Sequence, residues 1–243
     1  MDFYKLFILQ LIGHILADFF FQSDLWSRHK RRYGFRSKIM YWHVLIVFLT
    51  SYVLSFQWNF IWASGLILFI HLLVDALKLN IGRIKIDKSN PFRNFTFFID
   101  QILHILTIWF VVYIFSKYAT INPVINISVA NSTLVIVLAY LLCLKPTNIL
   151  IREVFSIYRI KIKKQPDEDL LNAGKLIGNI ERILTLTLLL IGQYEAIGFI
   201  IAGKSILRYE GVKTSKTEYV LIGTLLSFGI AILIGIIVTK INI

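Results

Sequence analysis

One cysteine, four prolines and 14 acidic residues are all that 243 positions hold of three common kinds of residue. The lone Cys143 excludes disulfides and thiolate-rich metal sites. Its place in an apolar run reads as that of a small buried hydrophobe. Charged residues make up only 16% of the chain, too few to clothe a soluble domain of this length. No serine- or cysteine-centred nucleophile pattern and no glycine-rich phosphate loop occurs, so no nucleotide cofactor is indicated. Internal repeats, low-complexity linkers and a separate soluble domain are also missing. The first apolar run has no small-residue cleavage pattern after it, and Asp2 weakens any positive start, so it reads as a retained helix and not a signal peptide.

Apolar sequence is what the chain has in abundance: 57% of residues are hydrophobic and the mean hydropathy is +0.71. Seven windows stand out: 3–21, 39–56, 60–77, 95–115, 134–151, 176–202 and 219–238. Most approach the roughly 20 residues that cross a bilayer as a helix. The expected fold is therefore all-α, a polytopic transmembrane bundle of about seven membrane segments. A four-helix core would occupy residues 1–120, and a second membrane region residues 130–243, with a basic loop near 152–175.

The excess of cations, +12 overall, is concentrated between alternate windows. Arg28, Lys30, Arg31, Arg32, Arg36 and Lys38 separate the first two; Lys78, Arg83, Lys85, Lys88 and Arg93 separate the third and fourth. By the positive-inside rule these loops face the cytoplasm and the N-terminus lies outside, in a cell inner membrane. The same loops account for the net charge through anionic lipid headgroups, with no case for nucleic acid. In 152–175, Val154, Phe155, Tyr158 and Ile162 share a helical face flanked by Arg159, Lys161 and Lys163, as in an interfacial helix. Pro166 followed by Asp167, Glu168 and Asp169 signals the start of the next helix. That next window is long and interrupted by Gly192, Gln193, Tyr194 and Glu195. A tilted single span is expected there, with a broken or re-entrant helix as the alternative. Trp26, Trp42, Trp58 and Trp62 fall near helix ends as interfacial anchors.

Within the apolar windows, a histidine and an aspartate stand four residues apart three times: His14/Asp18, His71/Asp75 and Asp100/His104. That spacing puts both groups on one helical face, and ionisable residues inside a membrane are functional suspects. The topology sets them, with His43, at one level in the cytoplasmic half. Four imidazoles and three carboxylates at one depth suit a divalent transition metal, Zn, Mn, Fe, Co or Ni, as one or two ions. Gln22 and Gln101 would orient the ligands. Any one such pair is more simply a packing hydrogen bond; the weight lies in the set. A second polar set is Glu181, Arg182, Gln193 and Glu195. The first two read as snorkelling near the membrane surface, and Glu181, Thr185, Gly192 and Glu195 follow one helical stripe.

Gly13-His14-Ile15-Leu16-Ala17-Asp18-Phe19 with Gln22, then His43, His71-Leu72-Leu73-Val74-Asp75-Ala76-Leu77-Lys78 and Asp100-Gln101-Ile102-Leu103-His104, resemble the bacterial membrane family catalogued as domain of unknown function 3307. The resemblance covers about the first half; Gly192 to Gly198 and onward resembles the extension of longer members. It implies a multi-pass membrane protein and no activity. Three functions compete on residue chemistry. One is a metal-dependent hydrolase of a lipid or lipid-linked phosphate, with Asp18 as candidate base and Arg83, Lys85 and the Arg28 to Arg32 run holding the headgroup. The others are an ion- or proton-coupled transporter gated near Glu195, and a structural or assembly protein.

Overall fold

The computed structural model describes residues 1–83, 91–121, 123–124, 128–158, 160, 173–209 and 215–241. Arg159, Lys161 to Lys164, Pro166 to Asp169, Lys85 and Lys88 lie outside the described residues, as does the side chain of Arg83. Helices account for nearly all of what is described, with no strand among the described residues. They divide into two compact units, 1–138 and 139–243.

In the first unit, Asp2 caps α1 (Phe3–Ile15) by accepting the Lys5 backbone N–H at 2.7 Å, which holds its carboxyl below the ordinary carboxylate range. A π-helical turn, Leu16–Phe21, continues the span. Ser23 caps α2 (Asp24–Tyr33), which ends at Gly34 with φ 58°. Then follow α3 (Lys38–Ser55), α4 (Ile61–Arg83) and α5 (Pro91–Tyr118). α1 packs on α3 and α5, and α4 packs on the same two, so the four close into a ring. Leu6, Val47, Phe60, Ile67, Val111 and Phe115 fill one end of it with a dry apolar core. The helices turn large apolar side chains such as Leu49, Phe69, Ile102 and Phe110 outward. A bundle apolar on its outer surface suits lipid as its solvent.

Of about seven expected segments, five helices among the described residues are long and apolar enough to cross a membrane: Phe3–Phe21, Lys38–Ser55, Trp58–Leu79, Phe95–Tyr118 and Glu218–Ile241. The fifth window is two helices, α6 (Asn131–Cys143) and α7 (Lys145–Ile157), meeting at 44°, a sixth candidate if the pair is one span. Pro146 is the reason: it lacks an N–H, and its ring crowds the carbonyl four residues back, that of Leu142. Thr147 Oγ1 donates to that carbonyl at 2.6 Å. The amphipathic stretch expected from residue 152 thus already begins at Lys145, and Phe155 stacks on Tyr219.

The sixth window is not a tilted single span. It is α8 (Ala173–Leu190) and α9 (Tyr194–Tyr209), parted at Gly192 with φ 76°, a left-handed conformation that ends a helix. Lys204 Nζ forms an ion pair with Glu181, although a continuous helix would hold these residues about 35 Å apart along its axis. The chain therefore folds back as a hairpin, so the window is a broken helix. α10 (Ser215–Ile241) packs on α8, where a Cβ on Gly235 would come within 2.8 Å of Leu189.

Candidate metal centre

The ring of the first unit converges on one cluster. Three carboxylates and four imidazoles meet there, all at most 7% exposed except Asp18, whose side chain is 11% exposed. α1 supplies His14 and the π-turn Asp18; single π-turns inside α-helices recur at functional sites because the wider turn redirects a side chain. α3 supplies His43, α4 His71 and Asp75, and α5 Asp100 and His104.

Asp18 Oδ1 lies 3.5 Å from both His43 Nε2 and His71 Nε2, and the two nitrogens are 3.1 Å apart. Donor atoms 2.0 to 2.2 Å from a tetrahedral ion stand about 3.3 to 3.6 Å from one another, so these three approximate one face of such a polyhedron. Asp75 Oδ2 is 3.7 Å from His43 Nε2. On the other side Asp100 Oδ1 is 3.5 Å and Asp75 Oδ1 4.0 Å from His104 Nε2, whose ring stacks on that of His71 with centroids 4.0 Å apart. Asp18 Oδ1, His43 Nδ1, Asp100 Oδ1 and His104 Nε2 are buried without a hydrogen-bond partner. Buried polar atoms are ordinarily paired, and an unpartnered carboxylate oxygen such as Asp18 Oδ1, beside two imidazole nitrogens, is what a cation can fill. Three overlapping groups could hold a metal ion: His14, Asp18 and His71; His43, His71 and Asp75; and Asp75, Asp100 and His104.

The two glutamines part company. Gln101 stands beside the cluster, its Oε1 3.3 Å from His14 Nε2 and its Nε2 donating to Asp100 at 3.1 Å. Gln22 instead donates to Ser27 Oγ at 2.6 Å, at the start of α2.

Two members were hidden in the sequence. Lys30, read as one of the cations of the first basic loop, is only 6% exposed and its Nζ pairs with Asp75 Oδ2 at 2.7 Å. Lys78, read as the first loop cation, pairs with Asp100 Oδ2 at 2.6 Å. The signal for Lys30 was helical spacing: Trp26, Ser27, Lys30 and Gly34 form the less exposed face of α2. Gln10, one turn from His14, was also missed. It exchanges hydrogen bonds with Ser51, which reaches Ser64 at 3.2 Å, and a small cavity is lined by Gln10 and Ser51 on one side and by His14, His71 and His104 on the other.

The second polar set is not brought together. Glu181 pairs with Lys204, while Gln193 and Glu195 are exposed at the hairpin tip. Arg182 does not snorkel; it is 1% exposed and spans the break between α6 and α7. Its guanidinium donates to the Cys143 carbonyl at 2.5 Å, the Leu144 carbonyl at 3.5 Å, Asn148 Oδ1 at 2.8 Å, Asn179 Oδ1 at 2.7 Å and Ser227 Oγ at 2.8 Å.

The family described as Protein of unknown function (DUF3307) matches residues 6–136, more than half of the chain. The chain belongs to it. That DUF3307 segment falls inside the first unit and contains all seven His and Asp residues of the cluster, together with Lys30 and Lys78. No curated protein and no solved structure matches the chain.

Proposed function

We propose that the first unit binds a divalent transition metal inside the membrane, near the cytoplasmic face, and uses it to hydrolyse a lipid or lipid-linked phosphate. The observation that carries this reading is the triangle of Asp18 Oδ1, His43 Nε2 and His71 Nε2, with edges of 3.5, 3.5 and 3.1 Å. The ion would supply Lewis acidity toward a phosphoryl oxygen. Asp18, the candidate base, is occupied as a ligand in this arrangement. The base role passes to Asp100, whose open Oδ1 faces His104 Nε2 at 3.5 Å and can accept a proton from water. His14, held by Gln101, orients Asp18 from 3.9 Å.

Metal analysis of the detergent-purified chain tests the reading. The wild type is expected to retain about one ion per chain under nonchelating conditions, and the His71→Ala/Asp75→Ala variant background levels, since loss of an oriented partner alone lowers metal affinity about 10- to 100-fold. A wild type no richer in metal than the variant removes the hydrolase mechanism and leaves the cluster a packing device.

The Gln10, Ser51 and Ser64 trio favours a second reading, an ion- or proton-coupled carrier, because it extends the polar groups beyond the cluster toward the opposite face. Ion flux in proteoliposomes that Gln10→Leu abolishes would support the carrier. Flux at the level of empty vesicles would remove it.

A further inference from the structure

Asp75 Oδ2 has two claimants. It lies 3.7 Å from His43 Nε2, near the tetrahedral edge that Asp18, His43 and His71 already outline, and His43, His71 and Asp75 are themselves a group that could hold an ion. It would complete the proposed centre as its fourth donor. The same oxygen accepts from Lys30 Nζ at 2.7 Å. An ion about 2.1 Å from that oxygen and an ammonium 2.7 Å from it can stand no more than about 4.8 Å apart, which is close for two cations away from water. With its side chain 8% exposed, Lys30 has no water to turn toward while α2 stays seated. The ion and the seated helix therefore exclude each other.

The helix can move as one piece. Lys30 is the one buried residue of α2, and the side chains beside it are Trp26 and Ser27, so lifting α2 uncovers little apolar surface. On the opposite face Leu25, Arg28 and Arg32 are already exposed. The backbone is extended at Gln22 and Ser23 before the helix and turns through Gly34, with φ 58°, after it. Rotation at these places leaves the hydrogen bonds within the helix intact. The contacts of Gln22 with Ser27 and of His29 with Ser37 stay inside the segment 22–37, whereas that of Lys30 crosses to α4. We propose that α2 is a lid latched by Lys30, which stands in for the metal at Asp75 until an ion displaces it and frees the helix. This rests on the metal reading above and adds how the site is kept shut.

The test is limited trypsin cleavage of the full chain in a neutral detergent, with and without Zn2+, together with Zn2+ titration of the wild type and two variants. Zn2+ is expected to speed cleavage after Arg31 and Arg32 about tenfold relative to sites elsewhere in the chain, because cleavage follows the population of the opened form. An ion that merely tightens the fold slows it. Lys30→Met should bind Zn2+ about a hundredfold more tightly, since a latch that keeps most chains closed lowers the apparent affinity by the open fraction. It should also be cut at the fast rate with or without the ion. Lys78→Met removes an ammonium from Asp100 and should gain at most about tenfold, as 37% exposure screens that side chain, with α2 cut as in the wild type. Should Lys30→Met fail to fold, the wild-type comparison decides alone. Cleavage that Zn2+ leaves unchanged or slows, or a Lys78→Met chain that gains as much affinity as Lys30→Met, overturns the latch while the bound ion leaves the metal reading intact. Zn2+ absent from the wild type and from both variants overturns both readings.

Discussion

Asp75→Asn, held free of metal by a chelator, is expected to lose about 4 kcal/mol of stability, with Lys30→Met in the same chain restoring most of it. Two opposing magnitudes bear on this. Hydrogen bonds between membrane helices average only about 0.6 kcal/mol, because an unfolded chain in the bilayer also finds partners for its polar groups. If that were all the pair did, the variant would be nearly neutral. Lys30 and Asp75 are, however, an ion pair of 2.7 Å with side chains 8% and 10% exposed, so removing the carboxylate strands an ammonium where water does not reach it. Breaking a buried pair costs far more than deleting both members. Unfolding of the wild type, both single variants and the double variant in mild detergent checks it. A loss below about 1 kcal/mol for Asp75→Asn would mean that Lys30 swings out to water at little cost.

Arg182→Met should destabilise the second unit by about 3 kcal/mol, through the acceptors it abandons. The carbonyls of Cys143 and Leu144 lie at the α6–α7 break, and Asn148, Asn179 and Ser227 also lose their donor. Methionine fills much of the volume and donates nothing. Arg182→Lys should recover only part of the loss, since a point ammonium cannot reproduce a planar fork directed at several acceptors. A thermal melt followed by helical circular dichroism distinguishes the three chains. Equal melting of wild type and Arg182→Met would show that the bend is set by Pro146 and needs no donor.

Much of the architecture was legible in the chain because the membrane imposes long apolar helices whose ends composition marks. The windows at 3–21, 39–56, 60–77, 95–115 and 219–238 each fall on a helix within a few residues of its observed ends. The His/Asp positions were equally visible, since spacing of four and shared distance from basic loops follow from helix geometry alone. Hydropathy failed where backbone chemistry overrode it. Pro146 broke one window and Gly192 another, and neither changes a window average enough to be seen. Reading Arg182 and Lys30 as surface cations failed for a related reason: charge in a sequence carries no direction, and both side chains point inward.

By itself, then, the sequence determined a bundle of helices long and apolar enough to cross a membrane and the spacing of its histidines and aspartates, because both follow from helical rise and periodicity. Only the tertiary structure decided which side chains meet. The ring closed by α1, α3, α4 and α5 and the inward turn of Lys30 and Lys78 arise from contacts between residues distant in the chain. Those contacts pair two of the three cluster carboxylates with lysines that the sequence places in loops.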